Sequence, residues 1–202
     1  DLPSGDRSAE TTLIVTPGRC LDPESVIGPG ARVWGMWVNL YTVRSARNWG
    51  IGDLSDLEEL VRWAGGEGGA FVGVNPLHAL RNREGAISPY GPVSRLFHNV
   101  LYLAVARVPE LRDSAEARAM LESSRLQARL RELRDRDRVD YEAVLDAKLP
   151  VLRALHRAFA SRHRDRDTER GRAYAGFRAR RGRALENHAT FMALEAHLGR
   201  PG

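Results

Sequence analysis

The sequence of 202 residues is poor in cysteine, in lysine and in long apolar runs. Cys20 is the single cysteine, so an internal disulfide is excluded and a thiolate zinc site lacks its other ligands. The longest nearly uncharged apolar run, residues 100–106, is far shorter than the roughly 18–20 residues of a membrane span. We therefore expect a cytoplasmic protein in a reducing compartment, without membrane contact.

The chain starts at Asp1 and shows no positively charged stretch followed by an apolar one, so no signal peptide is predicted. A start at Asp1 rather than Met indicates processing or a piece of a longer chain. Lys148 is the single lysine, which indicates codon bias rather than a binding pattern.

The net charge of +5 raises the question of nucleic acid, because clustered arginine neutralises phosphates. In residues 130–140 and 161–172, however, each arginine is interleaved with Asp or Glu. Such alternation is typical of a solvated surface, so no nucleic-acid partner is expected. Arginine-mediated binding would instead predict an affinity that falls steeply with salt.

The motifs of common catalytic and cofactor sites are missing. The glycines of residues 50–52 and 65–69 do not match a dinucleotide fingerprint, and no Walker sequence occurs. The six histidines form no H-E-x-x-H motif, and no Gly-x-Ser-x-Gly elbow is present. No cofactor, no metal ion and no catalytic residue is therefore predicted within these residues.

One strand–helix–strand unit stands out. Residues 33–43 are aromatic and β-branched, as in a strand buried on both faces of a parallel sheet. Asp53 suits the N-cap of a helix, with Asp56 three residues later, and the glycines of residues 65–69 end that helix. Residues 70–74 form a second apolar run, so a parallel strand pair with a right-handed crossover is predicted.

The second of these strands opens into a long polar stretch, which ends near residue 99. Because ligands of parallel α/β folds bind at the carboxyl ends of strands, this stretch lies on the ligand side. A tyrosine ring with its edge hydroxyl suits a sugar, whose C–H face stacks while its hydroxyls form hydrogen bonds. The alternative for Tyr90 is that it only packs the loop down, with Pro89 fixing the turn, and the alternative for Asn75 is that it only bonds its own turn. For His78 the two alternatives are donation to a ligand hydroxyl and closure of the loop.

The remainder of the chain has a helical pattern. Pro109 suits the first turn of a helix, and apolar residues recur at three- and four-residue steps from residue 141 to residue 159. A further apolar face spans residues 185–198. Pro150 is expected to kink or interrupt the first of these helices.

Two long segments carry a resemblance to a known family. They are WVNLYTVRSARNWGIGDLSDLEELVRWAGGEGGAFVGVNPLHAL and SPYGPVSRLFHNVLYLAV. They resemble the early barrel of 4-α-glucanotransferases of the amylomaltase type, glycoside hydrolase family 77, in their longer bacterial form. The segments VDYEAVLDAKLPVL and ENHATFMALEAHL resemble the helical insertion of the same enzymes, and TTLIVTPGRCL the end of their preceding domain.

The resemblance implies an α/β fold, namely the N-terminal portion of a (β/α)₈ TIM barrel with a mainly helical inserted subdomain. Residues 1–32 would end an N-terminal domain or linker and include a strand-like run at residues 12–15. Residues 33–108 would form the first βαβ units with a substrate-cleft loop, and residues 109–202 the helical insertion. A complete barrel takes about 250 residues, so the barrel is expected to be incomplete.

The activity implied is transfer of α-1,4-glucan segments between maltodextrins through a covalent glycosyl-enzyme, which needs two carboxyl groups. In the family these acids come from later strands, so this chain is expected to be an inactive fragment that supplies part of the cleft. Its expected partners are maltooligosaccharides and α-1,4-glucan. By resemblance, Ser88 and Tyr90 line the donor side with Tyr90 stacking on glucose, and Asn75, His78 and Asn99 lie nearby. Asn39 and Gly91 stand at positions where these enzymes often have other polar residues.

The alternative function is a non-catalytic glucan-binding or interaction module derived from such an enzyme. The coding sequence beyond Gly202 would distinguish the two functions, because it would show either the rest of a barrel or a stop codon. An incomplete barrel exposes apolar strand edges, so self-association or poor solubility is predicted unless the remaining chain covers them.

Overall fold

A computed structural model describes residues 13–20, 22 and 24–198. The chain divides into two compact units, Asp1–Val33 and Trp34–Gly202. In the first unit a short helix, α1, spans Glu24–Ile27, and the carboxylate of Asp22 accepts a hydrogen bond from the N–H of Glu24 at 3.1 Å. The strand-like run expected at residues 12–15 is not a strand over residues 13–15, and residue 12 lies outside the described residues.

The predicted strand–helix–strand unit is confirmed. Strand β1 spans Gly35–Val38, helix α2 spans Leu54–Gly66 and strand β2 spans Phe71–Val74. The strands are parallel, with Gly35 opposite Phe71 and Val38 opposite Val74. The first strand is shorter than the predicted residues 33–43, because the chain turns into a 3-10 turn at Leu40–Thr42.

The start of α2 is also as predicted. The Asp53 carboxylate accepts hydrogen bonds from the N–H groups of Ser55 and Asp56, and the Asp56 carboxylate accepts one from the N–H of Asp53 at 2.9 Å. This reciprocal capping box satisfies donors that the first helical turn leaves unpaired.

The prediction that the first strand is buried on both faces is wrong. Trp37 of β1 is 77% exposed and Phe71 of β2 is 47% exposed. A strand is buried on both faces only when further layers cover it, and among the described residues α2 packs against β2 as the covering helix. The aromatic residues of these two strands therefore form an exposed apolar surface.

The polar stretch after β2 contains a hairpin where a long loop was expected. Strand β3, His78–Ala79, pairs antiparallel with strand β4, Ser94–His98, and the register shifts between His78 and Ala79. The N–H of Val93 donates to the carbonyl of Ala79 at 2.9 Å and closes the pair.

Within the described residues, four further helices follow in the second unit, as the periodicity predicts. Helix α3 spans Ala115–Glu122, α4 Ser124–Asp135, α5 Tyr141–Arg162 and α6 Glu169–Leu198. Pro109 occupies the first turn of a 3-10 helix, Pro109–Arg112, as expected. Of the kink or interruption predicted at Pro150, the interruption is wrong, because helix α5 is continuous through this residue and the packed helix tolerates one missing N–H donor.

Helix α5 lies at the centre of the core. Its buried residues pack with the 3-10 turns, the loop before α2, and helices α3 and α4. Lys148 is among them: its side chain is 0% exposed, and its Nζ lies 5.9 Å from the ring centroid of Trp49. The single lysine of the sequence is therefore a core residue, which composition did not indicate.

Candidate functional site

A cavity of about 470 Å³ lies at the carboxyl ends of β1 and β2. It is lined by residues of the two strand ends and of the hairpin, namely Trp37, Val38, Asn39, Val74, Asn75, Pro76, His78 and Tyr90. Of the five residues predicted from sequence, Asn75, His78 and Tyr90 thus meet at this strand-end cavity. Its position is the one that parallel α/β folds use for ligands.

Tyr90 presents its ring to solvent at the edge of the strand-end cavity, where the side chain is 74% exposed. The turn beneath it is closed by the N–H of Gly91, which donates to the carbonyl of Ser88 at 3.1 Å. The Ser88 hydroxyl accepts a hydrogen bond from the N–H of Tyr90 at 3.3 Å. Ser88 therefore shapes the turn that holds Tyr90, while the aromatic face stays open.

Asn75 forms a fixed part of the strand-end cavity. Its side-chain oxygen accepts a hydrogen bond from the N–H of Leu40 at 2.8 Å, and its Nδ2 donates to Pro76 and to the hydroxyl of Tyr102 at 3.0 Å. Burial raises the pKa of Tyr102, and the hydrogen bond with Asn75 partly offsets this. The 5% exposed Asn75 therefore ties the turn after β1 to the end of β2.

Asn99 lies behind the strand-end cavity and pairs with a partner that the sequence did not suggest. Asn82 donates to Asn99 Oδ1 at 2.9 Å, and Asn99 donates back to Asn82 Oδ1 at 2.8 Å. Asn99 Oδ1 also accepts from the N–H of Leu101 at 3.1 Å and caps the following 3-10 turn. The pair is buried and fixes the base of the hairpin.

The connection between the hairpin strands, residues 80–93, is held by helix α5. Arg83 forms ion pairs with Asp146 at 2.5 Å and with Glu142 at 3.8 Å. The N–H of Glu84 donates to Glu142 Oε1 at 2.8 Å. These contacts tie the base of the loop that carries Tyr90 to the first turns of α5.

Trp37 is an aromatic cavity residue that the sequence analysis missed. Its ring lies against Gly73 on the neighbouring strand, since a Cβ placed on Gly73 would meet the Trp37 ring at 2.6 Å. A tryptophan next to the carboxyl end of an apolar strand was the available signal, but the strand was expected to be buried. Trp37 and Tyr90 give the strand-end cavity two exposed aromatic side chains.

The strand-end cavity offers recognition groups rather than acids. Among the described residues that line it, none is Asp or Glu. No group of three or more His, Cys, Asp or Glu within the described residues is arranged to hold a metal ion. Retaining glycosidic chemistry needs two carboxyl groups about 5–5.5 Å apart, and the described lining does not provide them.

Every helix that the structure describes falls short of the length or the apolarity that crossing a bilayer requires.

Comparison with known proteins identifies relatives along nearly the whole chain. The chain is 39% identical over 208 residues to a 4-alpha-glucanotransferase of Mycobacterium tuberculosis, covering 98% of this chain and 27% of the relative. It is 32% identical over 187 residues to a 4-alpha-glucanotransferase of Haemophilus influenzae, covering 91% of this chain and 26% of the relative. The chain thus spans about a quarter of the length of these relatives.

A solved structure and a family model agree with these relatives. The crystal structure of amylomaltase from Corynebacterium glutamicum matches with a TM-score of 0.70 at 30% identity, over 85% of this chain and 23% of that one. The sequence model of the family described as 4-alpha-glucanotransferase matches residues 38–202. The resemblance found in the sequence is thereby confirmed, and the chain belongs to the 4-alpha-glucanotransferase family, glycoside hydrolase family 77.

Proposed function

We propose that these 202 residues supply part of the substrate cleft of a retaining 4-α-glucanotransferase, which transfers α-1,4-glucan segments between maltodextrins. The observation that carries the proposal is the exposed ring of Tyr90 at the strand-end cavity, in a chain that belongs to this family. A glucose ring has a C–H face that stacks on tyrosine and a rim of hydroxyls that need polar partners.

Each residue of the site takes a distinct part in this proposal. Tyr90 stacks on a glucose ring, and Ser88 orients Tyr90 through the turn that they share. His78 is the polar lining residue of β3 and bonds glucan hydroxyls. The side chains of Asn75 and Asn99 already form hydrogen bonds with protein groups. Their part is therefore to hold the cavity and the hairpin in place rather than to bind the sugar.

The fold proposed for the unit Trp34–Gly202 follows from the same family. Strands β1 and β2 are the first two strands of a (β/α)₈ barrel, and helices α3 to α6 belong to the inserted helical subdomain. The chain as it stands is an incomplete barrel in this proposal. Exposed aromatic residues in the strands or directly before β1 support the view that further protein covers them, namely Trp34, Trp37 and Phe71.

The proposal includes the absence of catalysis by these 202 residues alone. The described cavity lining carries no carboxyl group, and a retaining mechanism cannot proceed without a nucleophile and an acid. Incubation with maltotriose should therefore yield neither glucose nor longer maltodextrins. Clear formation of these products would contradict this part of the proposal.

Glucan binding can be tested on the same chain. Isothermal titration with maltoheptaose should show binding that Tyr90→Ala weakens about two- to tenfold, in line with the roughly 0.5–1.5 kcal/mol that an aromatic contact contributes. Tyr90→Phe keeps the ring and should retain most of the affinity. Leu96→Ala removes another exposed apolar side chain of the hairpin, 60% exposed, and serves as the control. Equal affinities of the wild-type chain and Tyr90→Ala would contradict the role of Tyr90.

The exposed strand aromatics also predict self-association of the isolated chain. Light scattering should detect dimers or larger species at micromolar concentration, because an uncovered apolar sheet edge pairs readily. A monodisperse monomer at all concentrations would contradict this expectation. A cytoplasmic location is proposed with the same family assignment.

A further inference from the structure

Helix α6 is divided at Gly182 into two segments with different neighbours. Gly182 has φ 47° and ψ −137°, so the helix is kinked there. Before the kink, Arg170 pairs with the buried Glu110 at 2.6 Å, and Tyr174 meets the ring of Phe159 edge-on at 5.1 Å. After the kink, residues 183–198 contact the hairpin.

The second segment of α6 contacts the hairpin at two points. The imidazole of His188 stacks on Phe97 of β4, with ring centroids 4.6 Å apart and planes inclined by 14°. Glu195 forms an ion pair with Arg81, which follows β3, and these side chains are 17% and 20% exposed. His188 and Glu195 are seven residues apart, which is two helical turns, so they lie on the same face of the helix.

The hairpin depends on such support. Strand β3 has two residues and its register with β4 is irregular, and an isolated two-stranded hairpin is marginally stable in water. Tyr90 lies in the connection between these strands, and its ring is 74% exposed. Its position at the strand-end cavity is therefore set by the helices that hold the hairpin. These are α5, through Arg83, and the second segment of α6, through His188 and Glu195.

The contacts between residues 183–198 and the hairpin include one ring stack and one ion pair. None of these sixteen residues, all described by the structure, is buried, and Phe191, Leu194 and Leu198 remain 38–62% exposed. One face of the segment is half-buried and carries Leu185, His188, Met192 and Glu195. The ring stack joins this face to β4, and the partly buried ion pair joins it to Arg81, which follows β3.

We propose that residues 183–198 position the hairpin for glucan binding, with His188 and Glu195 as positioning residues that act on Tyr90 through Phe97 and Arg81. This inference rests on the proposed function, since it names residues that set the affinity of the same cavity. His188 and Glu195 touch no sugar. They increase the fraction of molecules whose Tyr90 already faces the cavity, and the apparent affinity scales with that fraction.

The first test needs no glucan. Hydrogen–deuterium exchange of the amides of residues 78–98 should become at least threefold faster in His188→Ala than in the wild-type chain. His188→Phe restores a ring that stacks on Phe97 and should return the exchange to wild-type rates. His156→Ala is the matched control, because His156 lies beside Phe159 on α5 with centroids 6.4 Å apart, outside the hairpin.

The second test measures affinity for maltoheptaose by titration. His188→Ala and Glu195→Gln should each weaken binding about two- to tenfold, the range expected from losing one aromatic contact or one partly buried ion pair. His188→Phe should bind like the wild-type chain, which a general loss of stability would not allow. Glu116→Gln is the charge control, since it removes an ion pair between Glu116 of α3 and Arg157 of α5.

The outcomes separate this inference from the proposed function. Weaker binding by Tyr90→Ala, together with His188→Ala of wild-type affinity and wild-type exchange, overturns the positioning role and leaves the proposed function intact. A wild-type chain that does not bind maltoheptaose overturns the proposed function, and the glucan role of His188 and Glu195 with it. Faster exchange and weaker binding in His188→Ala, both restored by His188→Phe, support the inference.

Discussion

Lys148 donates a hydrogen bond from Nζ to the carbonyl oxygen of Leu101 at 2.5 Å, from a side chain that is 0% exposed. A second hydrogen bond reaches the carbonyl of Leu103 at 2.9 Å. Burial lowers the pKa of Lys148 from 10.5 to about 8, although Asp53 and Asp56 partly oppose the shift. A neutral amine keeps two N–H donors, so both carbonyls remain satisfied when the proton leaves.

Stability should therefore rise with pH in the alkaline range. Between pH 8 and 10.5 the unfolded chain keeps the proton of Lys148 while the folded chain loses it, so the unfolded state binds more protons. We expect the free energy of unfolding to increase by about 2 kcal/mol between roughly pH 7.5 and pH 9.5. Urea denaturation at each pH, monitored by circular dichroism, measures this free energy.

Lys148→Met is the matched variant for the pH prediction. It removes the titrating group and should give an unfolding free energy that is flat over the same pH range. The range stops below pH 10 because burial raises the pKa of Tyr141 to about 12, and ionisation of that tyrosine in the unfolded chain would then favour unfolding. A wild-type slope equal to that of Lys148→Met would contradict the assignment.

Asn75→Ala should destabilise the second unit. The change removes the acceptor of the Leu40 N–H, in a residue that is 0% exposed, and leaves that donor without its partner. A buried unpaired donor and the other lost bonds cost about 2–3 kcal/mol. Asn39→Ala, at an exposed residue of the same cavity, should change stability by less than about 0.5 kcal/mol in the same urea titration. Equal effects of the two changes would contradict the structural role of Asn75.

Gly50→Ala tests a close approach of two chain segments. Gly50 has φ 87°, and an added Cβ would lie 2.7 Å from the carbonyl oxygen of Leu133. Gly85 also has a positive φ of 77°, but nothing lies within 4 Å of an added Cβ. Gly85→Ala should therefore cost about 1 kcal/mol of backbone strain, and Gly50→Ala at least about 2 kcal/mol more. Equal losses of stability in Gly50→Ala and Gly85→Ala on thermal denaturation would contradict the steric cost assigned to the contact with Leu133.

Pro150→Ala should stabilise the protein. Helix α5 continues through Pro150, which lacks an N–H and is exposed, so alanine restores one helical hydrogen bond without disturbing the core. We expect a gain of about 1–3 kcal/mol in the free energy of unfolding. Pro109→Ala is the control, because Pro109 lies in a first turn where proline is favourable, and it should bring no gain. A loss of stability in Pro150→Ala would indicate that the proline is needed for packing.

Local patterns predicted much of the fold because their causes are local. The capping box of Asp53 and Asp56, the glycines that end α2 and the helical periodicity of α5 all depend on residues within a few positions of one another. The parallel pair of β1 and β2 follows from one more rule, that parallel strands are joined by a crossover connection, usually a helix. The family, too, was recognisable in the order of the residues.

The candidate site was predicted in part. Tyr90, Asn75 and His78 meet at the strand-end cavity because all three follow the end of a strand. Asn99 does not line it, because its amide pairs with Asn82, seventeen residues away, once the hairpin has formed. Trp37 was missed because its exposure depends on which layers cover the sheet.

The sequence by itself determined the strand–helix–strand unit, the helices that follow it and the family, since these follow from spacing and composition along the chain. Only the tertiary structure decided which polar side chains are free for a ligand and which are engaged. The buried position of Lys148 and the stack of His188 on Phe97 join residues 47 and 91 positions apart in sequence. Such contacts depend on the relative placement of packed helices and strands, which a one-dimensional pattern does not specify.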